Sequence, residues 1–155
     1  MEQSPSQPEM VIAEVELIYK QKVRPSHRPA ITNSNDAYAI FSNLWDMDKI
    51  ELQEEFKVLL LNRANKVLGI FNASSGGITG TVADPRLILM AAIKSVSTGL
   101  ILCHNHPGGN LKPSRADEQL TQKIKQACLY LDITVLDHLV ISNEGYYSFA
   151  DEGIL

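Results

Sequence analysis

Apolar and polar residues alternate along the chain with two different periods. Residues 54–62, EEFKVLLLN, become a continuous apolar run, which predicts a buried internal strand. Residues 66–74, KVLGIFNAS, form a second run after a short turn, so the two segments predict a β-hairpin. Three further strands are predicted at residues 100–103, 133–142 and 145–149.

Three other segments have the spacing of apolar residues that is typical of helices. The first follows Ser34, which is predicted to cap it, and the second has Asp84 at the N-cap and Pro85 at the first helical position. The third begins at Ser114 and extends to about Leu131. The apolar stripe of this third helix, which predicts core packing, consists of Leu120, Ile124, Ala127 and Leu131.

The order of these elements predicts the fold class. Hairpin strands mixed with helical crossovers indicate an α/β or α+β protein, with one mixed sheet flanked by helices. Residues 1–9 are polar and predict a disordered lead-in, whereas residues 11–20, VIAEVELIYK, alternate like a half-buried strand. We therefore expect an N-terminal lead-in over 1–33, with one strand, and a folded domain over 34–155.

Composition narrows the class of protein. The 155 residues are 45% hydrophobic and 21% charged, which excludes global disorder, and the net charge of −4 argues against a strong general attraction to nucleic acid. Two cysteines form neither a disulfide framework nor a CxxC pair, so we expect a reducing, cytoplasmic setting. The N-terminus lacks the pattern of a signal peptide, and no apolar run is long enough to cross a bilayer.

The stretch HNHPGGNLKPSRAD carries the candidate chemistry. Residues i and i+2 of an extended segment point to the same side, so His104 and His106 face one way at the end of a strand and Asn105 faces away. Asp117, in the first turn of the next helix, can approach them. Two imidazoles and one carboxylate suit Zn²⁺ with a fourth position for water, as in catalytic sites.

The same stretch also has an explanation that requires no metal. An HxH pair often occurs by chance, and Ser114 with Asp117 fits a capping box.

A hydrolytic site further requires a base. Glu54 and Glu55 stand at the start of a predicted internal strand, where only one of them can face the site. Cys103 is expected to point away from His104 into the core, and Cys128 to lie in or near the core.

One multi-part pattern resembles a known family. His104-x-His106, seven intervening residues and Ser114-x-x-Asp117 match the motif of the JAMM (MPN+) metalloproteases. The RadC-like branch is the closest, because QEEFKVLLLN, LDHLVI followed by GYYSF, and Gly80-Thr81 followed by DPRLILMAAI are similar to its segments. The resemblance covers about residues 35–155. It implies a JAMM/MPN-like (cytidine-deaminase-like) fold and zinc-dependent hydrolysis of a peptide or isopeptide bond in a peptide or protein substrate.

The resemblance also implies roles for individual residues. His104, His106 and Asp117 would be the zinc ligands, and Ser114 would bind the metal water or steady the oxyanion. Glu54, two residues before Phe56, would be the general acid and base, with Glu55 as the fallback. His138, in the LDH segment, is expected to be a hydrogen-bonded structural histidine rather than a fourth ligand.

Two features depart from the RadC-like pattern. Gly108 stands where the family usually has serine, which removes a hydroxyl near the site. The residues before position 35 are too few for the helix-hairpin-helix region of many RadC-like proteins, so we expect its DNA targeting to be absent.

Two alternatives to the enzyme remain: a DNA-repair-associated accessory protein, which salt-dependent DNA binding would reveal, and a metal-stabilised, non-catalytic interaction domain. The pattern assigns no oligomeric state.

Overall fold

The computed structural model of the chain describes residues 12–16, 18–76 and 82–155. These ranges contain a five-stranded sheet, three α-helices and a short 3-10 helix at Pro25–His27. In chain order the main elements are α1 (Ser34–Leu44), β1 (Glu55–Leu61), β2 (Val67–Ser75), α2 (Pro85–Lys94), β3 (Gly99–Asn105), α3 (Arg115–Leu129), β4 (Thr134–Ser142) and β5 (Gly145–Ser148).

The sheet is mixed, as predicted, with the strand order β2-β1-β3-β4-β5. β1 pairs antiparallel with both β2 and β3, β3 pairs parallel with β4, and β4 pairs antiparallel with β5. The β1–β2 hairpin and the internal position of β1 are therefore confirmed. A parallel pair requires a crossover, and α3 supplies the one between β3 and β4.

Each face of the sheet carries its own hydrophobic cluster. Val58 and Leu60 of β1 belong to the cluster that includes Ile88 of α2 and Ile124 of α3. Leu59 and Leu61 of β1 belong to the second cluster, which is covered by α1. Because side chains alternate across a strand, even-numbered residues of β1 and β3 face α2 and α3. This alternation decides which polar side chains share a side at the end of the sheet.

Local capping fixes the start of each α-helix. Asp84 accepts a hydrogen bond from Arg86 N at the start of α2, and Pro85 is the first helical residue, as predicted. Ser114 caps α3 with a complete capping box. The prediction that Ser34 caps α1 is wrong: Asn33 is extended, with φ −154°, and its Oδ1 accepts from Asp36 N, so Ser34 is already helical.

Two further predictions from periodicity are corrected. Residues 12–16 and 18–20 form no strand, and Ile12 and Val15 are exposed, so an alternating pattern without a strand to pair with gives no sheet edge here. Leu131 is 44% exposed, because α3 ends before it. The positions of α3 that are fully buried are Thr121, Ile124 and Cys128.

Some sequence predictions lie outside the described residues. These are the lead-in at 1–9 and the segment around Gly80-Thr81 that resembles the RadC-like pattern. Within the described ranges, no helix combines the length and apolarity that crossing a membrane requires.

Candidate metal centre

Three side chains converge at the carboxyl end of β3. His104 is the penultimate residue of β3 and His106 follows the strand, and their Nε2 atoms are 3.0 Å apart. Asp117, in the first turn of α3, places Oδ1 3.4 Å from His104 Nε2 and Oδ2 3.5 Å from His106 Nε2. The two histidines therefore face the same way, as the i, i+2 spacing predicts, and α3 brings the carboxylate to them.

The spacing of these donor atoms fits a zinc ion. A tetrahedral centre with Zn–N and Zn–O distances of about 2.1 Å has donor atoms about 3.4 Å apart. The three separations, 3.0, 3.4 and 3.5 Å, lie close to that edge length. Among the described residues, His104, His106 and Asp117 form a group whose ligand atoms lie within 4.8 Å of one another. Two imidazoles and a carboxylate are also the donor types of catalytic zinc sites.

The cap of α3 aims the carboxylate. Ser114 N donates to Asp117 Oδ2 at 2.7 Å, and Asp117 N donates to Ser114 Oγ at 3.1 Å. The capping box therefore holds the side chain of Asp117 at the helix start, with its oxygens towards the histidines. The capping box and the candidate metal ligand group therefore occur together in one arrangement.

A tight turn fixes the ring of His106. Its Nδ1 donates to the main-chain oxygen of Asn110 across the Pro-Gly-Gly-Asn turn. Gly109 adopts φ +82° in this turn, a conformation that residues with side chains rarely adopt. With its proton on Nδ1, His106 presents the lone pair of Nε2 to the other two donors.

His104 is held from behind by a third histidine. His104 Nδ1 lies 2.8 Å from His138 Nε2, and His138 Nδ1 lies 2.6 Å from Thr121 Oγ1. His138 is completely buried and stacks on Phe149, with ring centroids 4.6 Å apart. It is a hydrogen-bonded buried histidine, as expected, and it is not a member of the three-residue ligand group.

The charges of the centre influence one another. Burial opposes ionisation of Asp117, but the adjacent imidazoles of His104 and His106 outweigh it and hold the pKa of this carboxyl well below its usual value. The hydrogen bond with Asp117 in turn raises the pKa of His106. Burial lowers the pKa of His138 well below that of a free imidazole. The carboxylate is therefore ionised, and it attracts cations to this end of the sheet.

The two candidate glutamates have different charged neighbours. Phe56 pairs in register with His104, and the two rings stack at an interplanar angle of 3°. Glu54 directly precedes β1, two residues before Phe56, and its charge contributes to the raised pKa of His106. Glu55 lies on the other face, where its Oε2 is 3.3 Å from the Nζ of the buried Lys57.

Asn105 is a residue of the site for which the sequence analysis assigned no role. Its side chain is completely buried, and its Nδ2 donates to the main-chain oxygens of Ile50 and Gln53 at 2.7 and 2.9 Å. Its Oδ1 accepts from Glu55 N at 2.7 Å. The sequence signal that could have identified Asn105 is its position between two candidate ligands, with its side chain on the opposite face. Thr121, four residues after Asp117, is buried on α3, and the apolar stripe of this helix gives no signal for a polar residue there.

Neither cysteine contributes to the centre. Cys103 is fully buried in the cluster under α1, on the face opposite His104, as expected. Burial raises the pKa of its thiol well above the usual value, which disfavours the thiolate that a metal requires. Cys128 is buried in the cluster under α3.

Comparison with known sequences places this chain in a family. A sequence profile described as the RadC-like JAB domain matches residues 31–154. The chain belongs to the RadC-like JAB family. Its sheet, helices and His-His-Asp group agree with a JAB/MPN-like fold that carries a JAMM-type metal site.

Several relatives in this family are similar over much of the chain. The UPF0758 protein of Flavobacterium johnsoniae is 47% identical over 146 residues, which cover 93% of this chain and 62% of that protein. The UPF0758 protein of Porphyromonas gingivalis is 45% identical over 130 residues, covering 83% of this chain and 56% of that protein. The UPF0758 protein of Streptococcus gordonii is 43% identical over 100 residues, covering 64% and 44%. The chain thus spans less than two thirds of the length of these relatives.

Proposed function

We propose that this RadC-like JAB domain is a zinc-dependent hydrolase that cleaves a peptide or isopeptide bond with water. The observation that carries the proposal is the convergence of His104 Nε2, His106 Nε2 and the Asp117 carboxylate within 4.8 Å. Continuing the alternation of β1 by one residue puts Glu54 on the side of the histidines, where we assign it as the base for water. The site thus combines a three-ligand metal group with a separate carboxylate, the composition of a hydrolytic zinc centre.

The proposed chemistry divides between the metal and the chain. When bound, zinc polarises a substrate carbonyl and lowers the pKa of its water to about 7. Glu54 accepts the proton of the attacking water and returns it to the leaving amine as the C–N bond breaks. The hydrogen bond from Ser114 N to Asp117 and the hydrogen bond from His106 Nδ1 to Asn110 O keep the ligand atoms in place during catalysis.

Ser114 is the proposed oxyanion donor. Its Oγ accepts a hydrogen bond from Asp117 N, and that bond leaves the hydroxyl proton to be donated elsewhere. Ser114 is exposed beside the carboxylate of Asp117, so a substrate carbonyl at the centre can approach the hydroxyl. Stabilising the negative charge that develops on that oxygen would lower the barrier to attack.

The proposed partner is a peptide or protein substrate rather than nucleic acid. A net charge of −4 gives little general attraction to phosphate backbones. Both cysteines are unpaired and buried, in keeping with the reducing conditions of the cytoplasm, where we propose that the domain acts.

Metal content is the first test. Elemental analysis of the purified wild type is expected to give about one zinc per chain after reconstitution, as a single three-ligand site requires. His104→Ala and Asp117→Ala are expected to lose it. A wild type that takes up no zinc would refute the hydrolase.

The base is tested with a matched pair of variants. Zinc-loaded Glu54→Gln and Glu55→Gln are compared by elemental analysis and by turnover of a fluorogenic peptide library. We expect Glu54→Gln to keep the metal and lose turnover, and Glu55→Gln to keep both. Full activity in Glu54→Gln, together with loss in Glu55→Gln, would show that the base is assigned to the wrong residue.

A further inference from the structure

Two buried side chains behind the metal centre connect two of its ligands. His138 of β4 and Thr121 of α3 are both 0% exposed. His138 contacts both of the other residues. Its Nε2 lies 2.8 Å from His104 Nδ1, and its Nδ1 lies 2.6 Å from Thr121 Oγ1. Thr121 Oγ1 lies 2.7 Å from the main-chain oxygen of Asp117. An unbroken chain of hydrogen bonds therefore runs from the ligand residue on α3 to the ligand on β3.

The direction of every bond in this chain follows from its last member. A carbonyl oxygen only accepts, so the hydroxyl of Thr121 donates to Asp117 O. This hydroxyl has one proton, so it must accept from Nδ1–H of His138. In the neutral form of His138 its one N–H is the Nδ1–H that points to Thr121, so His138 Nε2 accepts from Nδ1–H of His104.

The last step places the lone pair of His104 where a metal requires it. With its proton on Nδ1, His104 presents a bare Nε2, the atom that is 3.0 Å from His106 Nε2 and 3.4 Å from Asp117 Oδ1. The opposite tautomer of His138 would carry its proton on Nε2. His104 Nδ1 would then have to accept, and the proton of His104 would occupy the metal position.

We propose that Thr121 and His138 are positioning residues that set the tautomer and ring orientation of His104 and so pre-organise the centre for zinc. The inference rests on the metal binding of the proposed function. Because Thr121 lies one helical turn after Asp117, the same bonds also anchor the first turn of α3 to the sheet. Outer partners of metal-bound histidines typically contribute a factor of about 10 to 100 in metal affinity.

A series at position 121 separates this role from simple packing. Thr121→Val keeps the shape of the side chain and removes the hydroxyl, whereas Thr121→Ser keeps the hydroxyl and removes the methyl group. Cys128→Ala, two turns further along the same buried face of α3, is the matched packing control. Zinc affinity is measured by competition with a chromophoric chelator, and the metal-free proteins are compared by circular dichroism and thermal unfolding.

The positioning role predicts a pattern that packing would not produce. Zinc affinity is expected to fall about 10-fold or more in Thr121→Val, and to remain close to wild type in Thr121→Ser and Cys128→Ala. Equal affinity in Thr121→Val and wild type would overturn the inference while leaving the metal site intact. A wild type that binds no zinc would instead refute the proposed function.

A second measurement uses the wild-type protein and so does not depend on the folding of any variant. Long-range ¹H–¹⁵N correlation spectra of the histidine rings distinguish the two neutral tautomers in the wild-type protein. We expect His138 to carry its proton on Nδ1 and His104 to do the same. A His138 protonated on Nε2 would overturn the inference even if zinc binds tightly.

Discussion

Asn105 bonds to the main chain on both sides of Glu54. Its Nδ2 donates to Gln53 O at 2.9 Å, and its Oδ1 accepts from Glu55 N at 2.7 Å. Since Asn105 stands between His104 and His106, one side chain ties the segment of the proposed base to the strand of the proposed ligands. His104 therefore lies on one face of β3. Asn105, whose amide holds the segment around Glu54, lies on the other face.

Loss of this amide is expected to destabilise the protein. Asn105→Ala leaves Ile50 O, Gln53 O and Glu55 N without their partner, and we expect the free energy of unfolding to fall by about 2 to 4 kcal/mol. Urea denaturation of the metal-free proteins measures the change. Asn143→Ala, at an exposed position between β4 and β5, is the control and should shift stability by no more than about 0.5 kcal/mol. Equal effects of the two substitutions would show that the hydrogen bonds of Asn105 contribute no stability.

Zinc is expected to stabilise the fold without creating it. The clusters on the two faces of the sheet are built from side chains other than the three ligands, so chelation should leave the far-ultraviolet circular dichroism unchanged. At a free zinc concentration of about 100 times Kd, the free energy of unfolding should rise by about 2.7 kcal/mol. Denaturation with and without zinc measures this increment. The same increment in His104→Ala would mean that zinc stabilises the chain from another place.

Zinc affinity should increase with pH. In the metal-free centre, the hydrogen bond with Asp117 raises the pKa of His106, so this imidazole holds a proton at higher pH than an ordinary histidine. Zinc binds the neutral form and must displace that proton. Below the raised pKa, affinity should therefore fall by up to about tenfold per pH unit, and above it the dependence should flatten.

Chelator competition between pH 6 and pH 8 would show this dependence. Asp117→Asn removes the charge that raises the pKa, so its weaker binding should change with pH over a lower range. His27→Ala removes an exposed histidine that is distant in sequence from the candidate ligands, so this variant should keep the wild-type profile. An affinity independent of pH in the wild type would contradict the coupling of Asp117 and His106.

Gly108 is expected to accept the serine that is usual in the family. A Cβ built there meets nothing within 4 Å, so Gly108→Ser should leave the unfolding midpoint close to wild type. At Gly109, which has φ +82°, an alanine should cost about 1 to 2 kcal/mol, because the left-handed conformation is strained for a residue with a Cβ. Thermal unfolding of both variants checks this contrast. A larger loss in Gly108→Ser than in Gly109→Ala would contradict it.

The sequence by itself determined the parts that depend on neighbours along the chain. The apolar run of β1, the Asp84-Pro85 start of α2 and the capping box of Ser114 are local patterns, and the structure contains all three. His104 and His106 share a side because alternation along an extended segment is itself local. The alternating pattern of residues 11–20 misled, since a strand also needs a partner that local sequence does not provide.

The tertiary structure alone decided the relationships across elements. Alternation allows only one of Glu54 and Glu55 to face the histidines, and the register of Phe56 opposite His104 places Glu55 on the other face. The bonds from His138 to His104 and to Thr121 join residues 34 and 17 positions apart. They exist because α3 packs across β4, and no period in the sequence encodes that packing. Side-chain hydrogen bonds depend on ångström distances in space, and only the folded arrangement of sheet and helix sets those distances.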